Sequence, residues 1–187
     1  MKTMLKQAVN VALLKSSATN RVINDPDAIL HSTGIVLLIG ISFTLGLAGV
    51  FDPQFTEEQS WDGLSDRFIA LWIITITTLV GWILWSGSVY LFASKFLGSG
   101  ADFKLIMRSL GISYLPGVLL MFIKNPYNEN VPLGPILFGI GMVWILVSAI
   151  KINLKVQDID WMGGILSIVP GWFLVGLIFN LLISWFS

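Results

Sequence analysis

Five apolar runs constrain this chain more than any other feature, because a helix of about 20 predominantly apolar residues is what crosses a bilayer's hydrocarbon core. They fall at residues 31–50, 68–92, 105–123, 133–150 and 162–186. Within them the only Lys, Arg, Asp or Glu is Arg108, one turn inside the third run, which Pro116 also interrupts. The expected fold class is therefore all-α: a polytopic membrane domain of five transmembrane helices over 31–187, preceded by a polar N-terminal segment over 1–30. The lipid bilayer is its first partner.

The basic residues order these spans across the membrane. Lys2, Lys6, Lys15 and Arg21 precede the first run, Lys95, Lys104 and Arg108 flank the second-to-third connection, and Lys151 and Lys155 follow the fourth run. Alternation over five spans puts all of these on one side, leaving Arg67 and Lys124 on the other with the acidic stretch Asp52, Glu57, Glu58, Asp62 and Asp66. Lys and Arg in short loops favour the cytoplasmic side. The N-terminus is expected in the cytoplasm and the C-terminus outside. Arg108 then lies at the interface, where a long stem lets the guanidinium snorkel to water.

In the N-terminal segment Met4, Leu5, Ala8, Val9, Ala12 and Leu13 recur at helical spacing opposite Lys2, Lys6, Gln7 and Asn10. That pattern predicts an amphipathic helix at the membrane surface. It is too broken for a signal-peptide core, so the segment is expected to be retained. Asn24, Asp25, Pro26 and Asp27 predict a turn. Trp61, Trp161 and Trp185 fall near span ends, where indoles anchor at the headgroups, whereas Trp72, Trp82 and Trp172 lie deeper. Gly40, Gly46, Gly49, Gly87, Gly139, Gly141 and Gly176 are expected to serve close helix packing.

Composition removes most enzyme chemistry. The chain has no cysteine and one histidine, His31, so thiolate nucleophiles, Cys-ligated metals and histidine pairs are excluded, and no cofactor is implied. A formal net charge of zero leaves no basic surplus for nucleic acid. Asp158 and Asp160 sit in an exposed connection, unlike a tuned acid-base pair. The acidic stretch fits no calcium loop and reads as a solvated outer loop.

A repeat is suggested by Trp82-Ile83-Leu84-Trp85-Ser86 against Trp144-Ile145-Leu146-Val147-Ser148, and by the Gly-to-Pro-Gly segments 111–117 and 164–171. It would be a parallel repeat of two helical hairpins, spans two with three and four with five, with the first span packed against them. Pro116 and Pro170 would kink equivalent helices, with Ser113, Ser167 or a neighbouring helix satisfying the freed carbonyls.

The stretch 97–117 joins a glycine break, a charged helix entry and a Pro-Gly interruption. The order of Gly98, Gly100, Asp102, Phe103, Arg108, Gly111 and Pro116, with the polar segment ending at Pro26 and with Trp144, resembles Yip-domain membrane proteins of the short prokaryotic kind. One departure is that Ile112 follows Gly111 where members often place an aromatic; here the aromatic is Tyr114. The resemblance implies five spans in a prokaryotic cytoplasmic (inner) membrane, a cytoplasmic N-terminus and a non-enzymatic role in binding a membrane or cytoplasmic protein partner, or in membrane organisation and trafficking. The long polar region of eukaryotic trafficking relatives is missing from this sequence, so their GTPase partner is not carried over.

Two functional expectations stand side by side. In the first, Asp102 and its neighbours contact a protein partner, Asp102 pairing with Arg108 or simply capping the helix that follows. In the second, a small transporter or channel runs between the hairpins along Thr75, Thr78, Ser86, Tyr114 and Asn180. The Ser and Thr hydroxyls have the alternative of bonding back to their own helices, and Asn180 that of an interhelical bond. Self-association is left open.

Overall fold

The computed structural model describes residues 10, 25, 27–47, 64–122 and 133–186. The expected surface helix, Asn24, Pro26, Gly49, Trp61, Lys124 and the acidic residues from Asp52 to Asp62 lie outside the described residues. Those described are all-helical, in the order α1 (Ala28–Leu47), α2 (Leu64–Phe96), α3 (Phe103–Ser113), a 3₁₀ helix (Leu115–Phe122), α4 (Leu133–Gln157) and α5 (Trp161–Phe186). Four helices are long and apolar enough to cross a membrane, and a fifth crossing results if α3 and the 3₁₀ helix form one bent span. The protein is membrane-embedded.

These helices are apolar all round, as helices surrounded by lipid are. On α2, Phe68, Trp72, Ile76, Val80, Ile83 and Leu91 face outward, while Thr75, Thr78, Trp82, Trp85 and Ser86 are buried. The packed face is thus no more apolar than the lipid face. Hydroxyls inside the bundle are satisfied by their own helices: Thr44 donates to Gly40 O, Thr78 to Ile74 O, and Ser86 to Trp82 O.

α1 is the axle. Ser32, Ile35, Val36, Ile39, Gly40 and Phe43 form a continuous buried stripe at helical spacing, and α1 packs against α2, α3 and the 3₁₀ helix. Close approach at Gly46 needs the missing side chain, since a Cβ there would run into the Leu120 carbonyl and the Met121 backbone. α2 packs chiefly on α1 and α5, and α4 chiefly on the 3₁₀ helix. Pairing within the two expected hairpins is therefore not the dominant packing.

Pro116 acts as expected in breaking its helix. It has no N–H for the Ile112 carbonyl, α3 stops at Ser113, and the chain resumes in 3₁₀ form with Gly117 N–H donating to Tyr114 O at 2.7 Å. The two pieces meet at 41°. Pro170, by contrast, lies inside α5, which continues through it. The expected serine compensation does not occur at either proline: Ser113 donates to Leu110 O and Ser167 to Gly164 O, three residues back in each case.

Packing also corrects the glycine assignment. Gly40, Gly46 and Gly141 do meet neighbouring elements, but a Cβ at Gly87, Gly139 or Gly176 would touch nothing within 4 Å. Close approaches not anticipated include Gly111, where a Cβ would stand 2.5 Å from Ser32 Cβ, Gly171 against Ser88, Gly164 against Leu154 and Gly117 against Ile39.

Candidate functional site

Two regions gather the residues singled out in the sequence. The first is the bundle end that holds the 98–102 and 158–160 turns. α2 stops because Gly98 takes φ 66°, a left-handed conformation that glycine adopts without Cβ strain, and Ser99 N–H returns to Ala93 O at 3.1 Å. Gly100 is exposed and open, so nothing around it demands a glycine.

Asp102 occupies the N-cap position of α3, and its carbonyl receives Leu105 and Ile106 N–H at 3.0 and 3.1 Å. Its carboxylate makes no cap hydrogen bond and stands exposed, which corrects the expected side-chain cap. The working cap is Asp160: its Oδ1 accepts Gly163 N–H at 2.7 Å and its carbonyl accepts Gly164 N–H, fixing the start of α5. Phe103 turns inward, edge-on to Tyr90 with ring centroids 5.8 Å apart, and so locks the 98–102 turn onto α2.

Arg108 does not reach Asp102 either. Its Nη1 donates to the Asp25 carbonyl at 2.9 Å, while Ser32 Oγ donates to the Arg108 carbonyl at 2.7 Å. Two bonds thus fasten the entry of α1 to α3, beside the tight contact of Ser32 with Gly111. Asp25 Oδ1 accepts Asp27 N–H at 3.0 Å, and its other oxygen lies 3.7 Å from His31 Nδ1, beyond hydrogen-bond range.

Sequence reasoning missed the polar group beneath this end. Asn153 and Gln157 are buried one turn apart on α4, on the opposite side from exposed Lys151 and Lys155. Ser109 Oγ lies 3.1 Å and Gln157 Nε2 3.2 Å from Asn153 Oδ1, and Asn153 Nδ2 donates to Ala149 O. Ser99 Oγ donates to the Gln157 carbonyl at 3.3 Å, tying the 98–102 turn to the end of α4. Ending the fourth run at Ile150 hid these residues. Their i, i+4 spacing, matched by Lys151 and Lys155, was the available signal.

The second region is a cavity of about 180 Å³ to which every span contributes. Ile39, Phe43, Trp85, Tyr114, Leu120, Phe138 and Ile145 supply most of its apolar wall. Of the five residues expected along a polar path, Thr78, Tyr114 and Asn180 meet here. Thr75 and Ser86 do not: Thr75 Oγ1 is buried without a partner against Gly40, and Ser86 is committed to Trp82 O. Tyr114 packs edge-on to Trp85 at 5.6 Å, both rings lining this cup between the spans.

No group of three or more His, Cys, Asp or Glu able to hold a metal ion occurs among the described residues. Compared with protein-family models, with curated proteins and with solved structures, the chain gives no match.

Proposed function

We propose that this chain is a five-span, non-enzymatic membrane protein of the Yip-domain type that binds a protein partner at its charged end, with its N-terminus in the cytoplasm. The observation that carries the reading is the Ser99–Gln157 hydrogen bond, which joins the 98–102 turn to the end of α4. Around that frame Asp102, Lys104, Lys151, Lys155 and Asp158 stand exposed, beside the apolar side chains of Phe96, Trp161 and Met162. A fixed surface of mixed charge with apolar anchors suits protein recognition, since the backbone under it is ordered before the partner arrives. Phe103, turned onto Tyr90, supports that surface from beneath; Asp102 and Lys104 are its contacts.

Orientation rests on the gathering of Lys95, Lys104, Arg108, Lys151 and Lys155 at this end. Both parts are open to experiment. A reporter fused after Ser187 and active only in the cytoplasm is expected to be silent, and activity there would overturn the five-span reading. A photo-crosslinker at Lys151 is expected to capture a discrete partner that charge reversal at Asp102 and Lys104 abolishes; capture unchanged by both reversals would overturn the partner reading.

A further inference from the structure

The cup between the spans has the form of a lipid-chain site. Trp85, Tyr114 and Ile145 line it, each less than a tenth exposed. Gly176 and Asn180, one turn apart on α5, line it and are themselves exposed, on a helix that also presents Leu177 to the lipid. The cup therefore communicates with the hydrocarbon phase.

Two observations separate this opening from a packing defect. A Cβ at Gly176 would meet nothing within 4 Å, so helix contact does not require a glycine there, and the missing side chain widens the mouth instead. Asn180 is exposed among apolar neighbours with no hydrogen-bond partner among the described residues, so its amide is free to bond whatever polar group lies at its depth. That depth identifies the group. At 1.5 Å per residue, Asn180 lies roughly 28 Å along α5 from Trp161, close to the full thickness of a core of about 30 Å. That is the level of the ester linkages of the leaflet remote from the charged end, and the cup extends inward from it.

We propose that the cup takes the ester-proximal part of one acyl chain of a bilayer glycerolipid, its first methylenes against Trp85 and Tyr114 and the ester carbonyl accepting a hydrogen bond from the Asn180 amide. The volume suits that part of a chain: at about 30 Å³ for each water-sized group, 180 Å³ holds roughly six methylenes. This inference is independent of the partner reading, which concerns the opposite end of the bundle.

The test uses the full chain in vesicles of palmitoyl-oleoyl phosphatidylcholine doped with a phosphatidylcholine carrying a diazirine at about the sixth carbon of one acyl chain, irradiated and mapped by peptide mass spectrometry. Adducts are expected on Trp85, Tyr114 or Ile145 as well as on lipid-facing Val143 and Leu177. Gly176→Phe and Val175→Phe, each placing a ring in the cup, should remove the first set and keep the second. Asn180→Leu should reduce the first set for the phosphatidylcholine probe and leave labelling by a diazirine-bearing alkane intact. Circular dichroism identifies which filled variants retain the fold; if only one does, that one decides. Adducts confined to Val143 and Leu177, cup adducts that persist in a folded filled variant, or cup labelling indifferent to Asn180→Leu would each overturn the proposal.

Discussion

Trp82 and Trp85, one turn apart on α2, donate their indole N–H groups to different helices: Trp82 to the Met107 carbonyl on α3 at 3.1 Å, Trp85 to the Ile168 carbonyl on α5 at 2.9 Å. Both rings are buried, so α2 is pinned on two sides by bonds made away from water. Met107 lies one turn before Gly111, and Ile168 lies two residues before Pro170.

Replacing either tryptophan by Phe keeps most of the ring and removes the donor. Each substitution should cost about 1 kcal/mol for the bond, as interhelical bonds in membranes do, plus the packing lost with the smaller ring. Because the two indoles serve different helix pairs, the double variant should be close to additive, within about 0.5 kcal/mol. Reversible unfolding in mixed micelles, followed by circular dichroism, measures both. A strongly non-additive double variant would show that α3 and α5 respond to α2 as one unit.

Glycines divide into two classes that the same assay separates. Gly111→Ala drives a methyl into Ser32 and the Trp82 ring, and Gly46→Ala drives one into the Leu120 carbonyl, so each should destabilise by about 1–3 kcal/mol. Gly87→Ala and Gly139→Ala meet open space, and the better helix propensity of alanine should leave them neutral or stabilised by up to about 1 kcal/mol.

Asn153→Leu removes the acceptor of Gln157 Nε2 and strands the Gln157 amide in the bundle, while Ser109 keeps its bond to the Ile106 carbonyl. A cost of about 1–3 kcal/mol is expected, the usual penalty for an unpaired buried polar group. Adding Gln157→Leu removes the stranded group as well. The double variant should then be less destabilised than the sum of the singles, a coupling that a double-mutant cycle reads directly.

The grip of Arg108 on the Asp25 carbonyl should be visible as protection at the start of α1. Arg108→Leu is expected to speed amide hydrogen exchange over residues 28–32 by about tenfold or more, the rate equivalent of about 1.4 kcal/mol. Arg108→Lys should restore this only in part, since an ammonium keeps the charge but not the reach of the planar fork. Exchange at α5 serves as the internal reference.

These tests fall on residues whose roles the sequence discloses unequally. Span positions were legible because a bilayer imposes a length and a composition that soluble packing does not. The helix break at Pro116 was legible because a missing N–H acts locally. Which face of each helix turns inward was not, since lipid and protein interior are equally apolar and offer no amphipathic contrast; hence Gly87 and Gly139 read like Gly46. Asp102 and Asp160 both precede helices, and only the backbone geometry distinguishes a carboxylate that caps from one that faces water. Arg108 was expected to snorkel to an interface, but its partner is 83 residues away and is a backbone carbonyl, a group that leaves no trace in side-chain composition. Asn153 and Gln157 were hidden by cutting the fourth run at its first lysine, although the helix carries on to Gln157.

The 3₁₀ winding after Tyr114 also bears on hydrophobic matching. Eight residues of 3₁₀ helix rise about 16 Å, against about 12 Å had they stayed α-helical. Tilted 41° from α3, that piece keeps about 12 Å of height, so with the eleven residues of α3 the bent pair reaches about 29 Å, near the thickness of an average hydrocarbon core. A bend with unchanged winding would fall about 3 Å short and leave the bilayer to thin around it, at some elastic cost. The steeper rise of the tighter 3₁₀ coil restores what the bend removes, so that α3 and the 3₁₀ helix, taken as one bent span, need not pucker the membrane.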